Sequence, residues 1–185
     1  MTNKPADSAN PASETLDAIF AALGIPATYA ATCGIPRQPE CVDLVDTELD
    51  VFGRQPQLDA QAFAAWTDMK AAAARDGVEL QLVSAFRSVA YQRDLIQRKL
   101  ARGDSIAAIL AVNAAPGYSE HHTGRALDIG CAGYPHLEID FEHSAAFAWL
   151  TRHANTFGFH MSFPRDNSFG VQYEPWHWCY RSSST

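Results

Sequence analysis

The segment from Pro116 to Gly130 contains the side chains best suited to chemistry. His121 and His122 are neighbours, Gly124 follows them, and Asp128 lies in an apolar run. Histidine nitrogen and aspartate oxygen bind zinc at about 2.0–2.2 Å, and a catalytic zinc site uses three protein ligands and leaves a fourth position for water. The segment therefore predicts part of a zinc site that needs one more ligand from elsewhere in the chain.

A second segment, near the C-terminus, offers the missing ligand. In Tyr173–Trp178, Glu174 precedes His177 by three residues amid aromatic side chains. Pro175 has no backbone N–H and disfavours a regular strand at this point. A kink at the proline can bring the carboxylate and the imidazole towards one cavity, so the best candidate for the missing ligand lies here.

Hydrophobic spacing predicts the elements that position these two segments. Apolar residues at three- and four-residue steps predict an amphipathic helix over residues 58–75, and alternation over residues 78–83 predicts a half-buried strand that ends at Ser84–Ser88. Other helices are predicted over residues 13–24, 89–101, 105–112 and 144–156, and other strands over 159–163 and 171–180. Residues 25–57 contain four prolines, which predict an irregular lobe with at most brief strands.

The order of these elements predicts the fold class. A strand, a helix pair, the His/Asp segment, a helix and paired terminal strands do not show the regular βαβ alternation of a parallel sheet. We therefore expect an α+β domain with a small, mainly antiparallel sheet, helices on its outer face and a zinc cleft on the other. Residues 1–12 are expected to be a flexible tail and residues 13–185 a single domain.

Composition excludes several kinds of partner. The chain has 185 residues, 47% of them hydrophobic, and a formal charge of -7 without a Lys/Arg run. Nucleic acids and anionic membranes attract basic patches, so neither is expected as a partner. No apolar stretch reaches the roughly 18–20 residues of a transmembrane helix, and the first residues lack the apolar core of a signal peptide. A cytoplasmic monomer is the expectation for the sequence as it stands, with a periplasmic or cell-wall location if the true start lies elsewhere.

Cysteine spacing leaves two alternatives open. Cys33, Cys41, Cys131 and Cys179 form no Cys-x-x-Cys pair, so neither a zinc ribbon nor a thioredoxin-like redox motif is indicated. Buried free thiols are one interpretation. The other is a disulfide between Cys33 and Cys41 across their proline-rich loop, in an oxidising compartment.

Three blocks of the sequence carry a family resemblance. Ser119–Asp128, with Glu174–His177 after it and Ser84–Ser88 before it, resembles the VanY-type zinc D-alanyl-D-alanine carboxypeptidases. These enzymes belong to a wider group that includes lysostaphin-type peptidases and the hedgehog signalling domain. The blocks lie within residues 84–178, about half of the chain, and residues 1–57 are outside the resemblance. The family usually has Ser-Gly-Tyr-Arg-Ser in the first block. Here Ala85 and Phe86 replace the glycine and the tyrosine, so a tyrosine hydroxyl contact is lost while the arginine remains.

The resemblance implies a role for individual residues. Carried over position by position, it implies that zinc is held by His121, Asp128 and His177. It implies that Glu174 is the general base, that Arg87 polarises the scissile carbonyl, and that Gln92 and Ser119 bind substrate. Amide hydrolysis by a zinc-activated water needs such a carboxylate to move the proton. His122 is interpreted as a bystander, and Trp176 and Trp178 as packing around the site.

Two classes of function stay open at this stage. The first is a zinc carboxypeptidase that removes a C-terminal D-alanine from peptidoglycan stem peptides or their precursors. The second is a non-catalytic zinc-containing binding domain, as in the hedgehog relatives. Because a binding module has no use for a base beside an open metal position, Glu174 favours the enzyme. Within the enzymes, an L,D-carboxypeptidase, a D-Ala-D-Ala dipeptidase and an endolysin-like endopeptidase are the alternatives.

Overall fold

The computed structural model describes residues 15–182, so the tail expected over residues 1–12 lies outside the described part of the chain. The α-helices are Leu16–Leu23 (α1), Tyr29–Thr32 (α2), Ala60–Arg75 (α3), Val89–Ala101 (α4), Ile106–Val112 (α5) and Ala145–His153 (α6). The strands are Leu44–Asp46 (β1), Gln57–Asp59 (β2), Gln81–Ser84 (β3), Ala126–Gly130 (β4), Phe159–Met161 (β5) and His177–Tyr180 (β6). Turns of 3-10 helix cover Glu120–Thr123, Ile139–His143 and Ala154–Phe157.

The central sheet has four strands in the order β3-β4-β6-β5, and each neighbouring pair is antiparallel. A separate two-stranded antiparallel sheet pairs β1 with β2. The predicted α+β class with a small antiparallel sheet is therefore confirmed.

One face of the central sheet forms the main core. Leu127 and Ile129 of β4 are buried in a cluster with Trp66 of α3 and Trp149 of α6. Because successive side chains of a strand point to opposite faces, Asp128 is directed away from these helices. The arrangement confirms a fold with helices on the outer face of the sheet and leaves the other face for the metal cleft.

A second apolar cluster anchors the start of the metal segment. Ile19 of α1, Ile96 of α4 and Ile109 of α5 are buried together with Tyr29 and Tyr118. The two tyrosine rings meet edge to face at 5.3 Å, and the Tyr29 hydroxyl accepts a 3.1 Å hydrogen bond from the N–H of Ala115. The N-terminal lobe thus packs directly against the chain that leads into His121.

Several predicted elements differ from the structure at their ends. The strands expected over residues 78–83 and 159–163 cover Gln81–Ser84 and Phe159–Met161, and the helix expected over 144–156 is α-helical over Ala145–His153 and continues as 3-10 helix. The last strand was expected over residues 171–180, but it begins at His177 because a turn precedes it: the N–H of His177 donates to the carbonyl of Glu174 at 3.1 Å. The helix expected from Leu58 begins at Ala60, since Leu58 belongs to β2 and the Asp59 carboxylate accepts the first helical N–H groups. By contrast, α4 covers residues 89–101 as predicted, with the Ser88 hydroxyl as its cap.

The irregular lobe is also as expected, with α2 and two short strands in residues 25–57 or at their end. Cys33, Cys41, Cys131 and Cys179 are free thiols, so the alternative of a disulfide between the first two is not formed in this structure. Over residues 15–182, no helix combines the length and the apolar character needed to cross a membrane.

Gly124 ends the turn between the two histidines and β4. The surroundings of its Cα show that this turn is tightly packed. Its φ is +66°, and a Cβ at this position would lie 2.8 Å from the Asp59 nitrogen and 2.9 Å from a Leu44 methyl group. Gly133 also has a positive φ, +85°, but a Cβ there would meet nothing within 4 Å. Both Ala variants incur the strain of a left-handed residue, whereas overpacking adds about 1–3 kcal/mol at Gly124 alone.

We therefore expect Gly124→Ala to lower the free energy of unfolding by about 1–3 kcal/mol more than Gly133→Ala. Urea denaturation of the two metal-free variants measures the difference. Equal losses would show that the turn relaxes freely and that the close contacts of Gly124 carry no cost.

Candidate metal centre

The structure brings three distant residues together at the open face of the sheet. His121 lies in the 3-10 turn Glu120–Thr123, Asp128 is the middle residue of β4, and His177 is the first residue of β6. Asp128 and His177 are direct partners in the antiparallel register of these strands. Directly opposed residues hold their Cβ atoms about 4.5–5.5 Å apart on one face, so the sheet itself places the carboxylate beside the imidazole.

The three side chains form a compact, buried cluster. Asp128 Oδ1 lies 3.3 Å from His121 Nε2 and 3.2 Å from His177 Nδ1. One potential ligand atom from each residue lies within 4.8 Å of the others, and all three residues are buried. The donors are therefore already gathered around one point.

Hydrogen bonds on the far side of each ring orient the two imidazoles. His121 Nδ1 lies 2.7 Å from the carbonyl of Ala85, which can only accept, so this nitrogen carries the proton and Nε2 presents a lone pair to the cluster. That buried Nε2 has no hydrogen-bond partner among the described residues. On the other ring, His177 Nε2 lies 2.9 Å from a carboxylate oxygen of Glu120, which leaves Nδ1 facing Asp128.

An unpaired nitrogen of this kind costs free energy unless a ligand takes it. Two imidazole nitrogens and a carboxylate oxygen that converge in a buried site are the donor set of a catalytic zinc ion. The residues present therefore fit a bound zinc ion.

The electrostatics of the cluster favour a cation. Although burial opposes its ionisation, the neighbouring His121 and His177 hold the pKa of Asp128 well below its usual range. Burial also opposes charge on His177, but its bonds to Asp128 and Glu120 outweigh this and raise its pKa to about 10. Burial, assisted by the Arg87 guanidinium, lowers the pKa of His121 to about 4. The centre thus combines the ionised carboxylate of Asp128, the neutral imidazole of His121 and the imidazole of His177, whose surroundings favour a positive charge.

Glu174 lies at the edge of this cluster. The turn that ends at His177 brings its Oε2 to 4.0 Å from His177 Nδ1. Burial raises the pKa of this carboxyl to about 7. Glu174 thus lies next to the His-Asp-His cluster, but farther from it than the cluster residues lie from one another.

Arg87 follows β3 in the chain, and its guanidinium approaches the cluster at Asp128. Its Nη2 lies 3.7 Å from Asp128 Oδ2, and its Nη1 lies 3.5 Å from Gln92 Oε1. Both distances are at or beyond the limit of a good hydrogen bond, so N–H groups of the guanidinium remain able to donate to a ligand. The amide nitrogen of Gln92 in turn donates to the carbonyl of Ala114 at 2.8 Å.

A single cleft unites nearly all of the predicted site residues. Its polar lining includes Arg87, Gln92, Ser119, His121, Glu174 and His177, while Ile35, Leu110, Phe163 and Val171 contribute apolar side chains. Asp128 is buried behind the two imidazoles. The Ser119 hydroxyl makes no capping bond to the 3-10 turn that follows it, which leaves it available to a ligand.

Sequence reasoning missed the role of His122, which was interpreted as a bystander. Its ring is buried: Nδ1 donates to the carbonyl of Arg87 at 2.6 Å and Nε2 accepts from the N–H of Gly117 at 3.0 Å. The N–H of Arg87 also donates to the carbonyl of His121 at 3.2 Å. His122 therefore ties the arginine to the metal segment. Its position beside His121 was visible in the sequence, but its partner Arg87, 35 residues upstream, was not.

Glu120 was missed as well, although it directly precedes His121. The tryptophans behave as expected: Trp178 is buried in the core and its ring N–H donates to the carbonyl of Pro175 at 3.0 Å, and Trp176 packs against the same core.

Comparison with known proteins identifies the family. The family model described as VanY, D-alanyl-D-alanine carboxypeptidase, matches residues 55–183. The chain belongs to the VanY family. A D-alanyl-D-alanine carboxypeptidase of Enterococcus faecalis (strain ATCC 700802 / V583) is 30% identical over 145 residues, which are 73% of this chain and 52% of the relative. This VanY-family chain thus spans about half the length of that curated relative.

Two solved structures of related proteins have the same fold. The LdcB LD-carboxypeptidase, a structure described in terms of peptidoglycan recognition, is 29% identical with a TM-score of 0.68, over 78% of this chain and 71% of that one. A mutant of the vancomycin-resistance D,D-pentapeptidase VanY in complex with Zn(II) is 31% identical with a TM-score of 0.60, over 80% of this chain and 82% of that one. The convergent His-Asp-His donors of this chain fit a metal ion of the kind that this relative holds.

The bonds of His122 lead to a prediction about stability. His122→Ala leaves the Gly117 N–H and the Arg87 carbonyl without their partners, and each buried unpaired group costs about 1–3 kcal/mol. We expect the free energy of unfolding to fall by about 2–5 kcal/mol in urea denaturation of the metal-free protein. His143→Ala is the matched control, because that side chain is 71% exposed. Similar stability of the two variants would contradict the anchoring role of His122.

Proposed function

We propose that the protein is a zinc-dependent carboxypeptidase that removes a C-terminal D-alanine from peptidoglycan stem peptides or their precursors. The observation that carries the proposal is a buried His-Asp-His cluster with a separate carboxylate, Glu174, at its edge and an under-used arginine, Arg87, across the same cleft. Membership of the VanY family and the name of its D-alanyl-D-alanine carboxypeptidase relative supply the substrate class.

We assign the metal ligands from the orientation of each side chain. His121 offers Nε2, His177 offers Nδ1 and Asp128 offers a carboxylate oxygen, since these atoms face one another. When bound, zinc lowers the pKa of a water towards about 7 and stabilises negative charge on the oxygen of the attacked carbonyl.

Glu174 is the proposed general base. A base must reach the proton of the attacking water without occupying the metal itself, and the edge position of this carboxylate meets that requirement. It takes the proton from the water and passes it to the nitrogen of the departing D-alanine. The cleft shelters this transfer from bulk water because Glu174 and both imidazoles are largely withdrawn from solvent.

Arg87 is the proposed electrostatic partner of the substrate. Its guanidinium is permanently charged and forked, which suits a carbonyl oxygen that gains negative charge during the attack. Gln92 Oε1 lies 3.5 Å from this guanidinium, and the remaining amide N–H of Gln92 and the Ser119 hydroxyl provide further donors for the substrate's terminal carboxylate. These donors, all from one chain, support action as a monomer.

One relative favours a second candidate function. The structure with a TM-score of 0.68 is that of an LD-carboxypeptidase, so trimming of a peptide that ends in a single D-alanine is the closest alternative. Mass spectrometry of the products from purified muropeptides ending in D-Ala-D-Ala, and from others ending in one D-Ala, separates the two activities. Release of one D-alanine from the first substrate alone is the expected result, and release from the second alone would replace the proposal.

The roles of the base and the ligands are separable by substitution. Glu174→Ala should retain zinc and lower turnover by about 100- to 10,000-fold, the usual contribution of a positioned base. His177→Ala should lose zinc, because it removes a ligand. Metal analysis of the dialysed proteins, alongside single-turnover assays, checks both statements. An empty site in the Glu174→Ala protein would mean that this carboxylate is a ligand and the assigned roles are wrong.

Recognition of a free chain end gives a further prediction. A carboxylate that enters the cleft loses its hydration and needs specific donors in exchange, so amidating the substrate's C-terminus should lower kcat/KM. A charge-assisted contact contributes about 1.5–3 kcal/mol, which corresponds to a loss of roughly 10- to 150-fold for each contact. Parallel assays of free-acid and amidated peptides measure it. Equal turnover of both would point to an endopeptidase.

A further inference from the structure

Glu120 is a largely buried carboxylate that has no role in the mechanism proposed above. Its side chain is 14% exposed, it immediately precedes the ligand His121, and its Oε2 lies 2.9 Å from His177 Nε2. The two bonded residues are separated by 57 positions in the sequence. One short turn thus delivers a ligand and, at the same time, the outer partner of a different ligand.

The contact matters because His177 lies between two carboxylates. Its Nδ1 faces Asp128 at 3.2 Å, and its Nε2 faces Glu120 at 2.9 Å. A neutral imidazole has a single N–H, and its other nitrogen offers the lone pair that a metal needs. Asp128 by itself would attract that hydrogen to Nδ1 and so direct the lone pair away from the cluster. Only an acceptor on the opposite side can hold the hydrogen at Nε2.

The tautomer of His121 is fixed by a different kind of acceptor. Its outer nitrogen bonds the backbone carbonyl of Ala85, an uncharged acceptor. The outer acceptor of His177 is instead an ionised carboxylate, which makes a stronger hydrogen bond and increases the electron density of the ring. The two ligands are thus held by partners of unequal strength, and the stronger one belongs to the ring that Asp128 would otherwise misdirect.

We propose that Glu120 is a positioning residue that fixes the Nε2–H tautomer of His177 and thereby presents Nδ1 to the metal. The inference rests on the metal role proposed above for His177. It assigns to Glu120 the outer hydrogen bond of His177 through Oε2 and no proton transfer with the substrate.

Two substitutions distinguish the hydrogen bond from the charge. Glu120→Ala removes the acceptor, whereas Glu120→Gln retains an oxygen that can accept from Nε2–H and removes only the charge. Loss of an outer partner of a metal-bound histidine costs about 10- to 100-fold in metal affinity. We expect a loss of that size for Glu120→Ala and a clearly smaller one for Glu120→Gln, measured by competition of each protein with a chromophoric zinc chelator.

A spectroscopic measurement tests the tautomer directly. In cobalt-substituted protein, the proton NMR spectrum should show an exchangeable, paramagnetically shifted N–H signal from His177 in the parent and in Glu120→Gln. In Glu120→Ala this signal should broaden or vanish, because the N–H is no longer protected by a hydrogen bond. Glu48→Ala is a matched control: Glu48 also accepts hydrogen bonds from other side chains, Trp66 and Lys70, but contacts none of the cluster residues, so its zinc affinity and spectrum should not change. Urea denaturation verifies that each variant is folded.

The outcomes separate this inference from the proposed function. If the parent protein binds zinc but His177→Ala binds it equally well, the proposed ligand set fails. If His177 is required but Glu120→Ala retains full affinity and an unchanged N–H signal, only the positioning role is overturned. If Glu120→Gln retains zinc with parental affinity but loses turnover as Glu174→Ala does, Glu120 takes part in proton transfer and the inference is wrong.

Discussion

The antiparallel pairing of β4 with β6 is the constraint on which the rest of this structure depends. It sets Asp128 opposite His177, and the alternation of the two strands sends Leu127 and Trp178 to the other face, into the core with α3 and α6. The same backbone hydrogen bonds therefore hold the core and the metal cluster. A one-residue slip of the register would send every side chain of the slipped strand to the wrong face, so neither the core nor the site can shift independently of the other.

His121, the third proposed ligand, is held near this pair by the packing of the N-terminal lobe. The chain on both sides of His121 is held by backbone bonds from residues that precede the family match: the N–H of Gln38 donates to the carbonyl of Gly117, and the N–H of Cys41 donates to the carbonyl of His122, both at 2.8 Å. The N–H of Asp59 does the same for Gly124 at 2.8 Å. Three main-chain contacts thus replace the side-chain restraints that a short 3-10 turn cannot supply by itself. The proline-rich residues 25–57 are irregular because their main chain bonds the metal segment as well as their own short strands.

The sequence was enough to predict residues that can be recognised from their own type and spacing. It was not enough to predict the roles of residues whose partners are distant in the chain. His121, Asp128, His177, Glu174 and Arg87 could be selected from type, spacing and resemblance, and the structure gathers them at one cleft. The helix Val89–Ala101 was predicted to the residue because its cap and its apolar spacing lie within one stretch. The start of β6 was not, since the turn before it is also held by bonds to distant segments: the N–H of Glu174 donates to the carbonyl of Phe163 and the N–H of Ile129 donates to the carbonyl of Trp176. For the same reason Glu120 and His122 were overlooked: their bonds span 57 and 35 positions.

The lining of the cleft comes from two parts of the structure: the sheet with its metal segment, and two outer segments. The side chains proposed to act in catalysis lie on or next to the sheet and the metal segment, but one apolar wall comes from Ile35 and Val171, on the N-terminal lobe and on the loop before Glu174. These two outer segments touch each other, since a Cβ on Gly34 would lie 3.5 Å from the Cα of Phe169. Neither segment supplies a metal ligand. If the proposed hydrolytic function holds, mutations in this wall would change which ligands fit and leave the proposed metal ligands and base in place, so a scaffold of this kind could diverge in substrate preference at its periphery while it keeps one inherited chemistry.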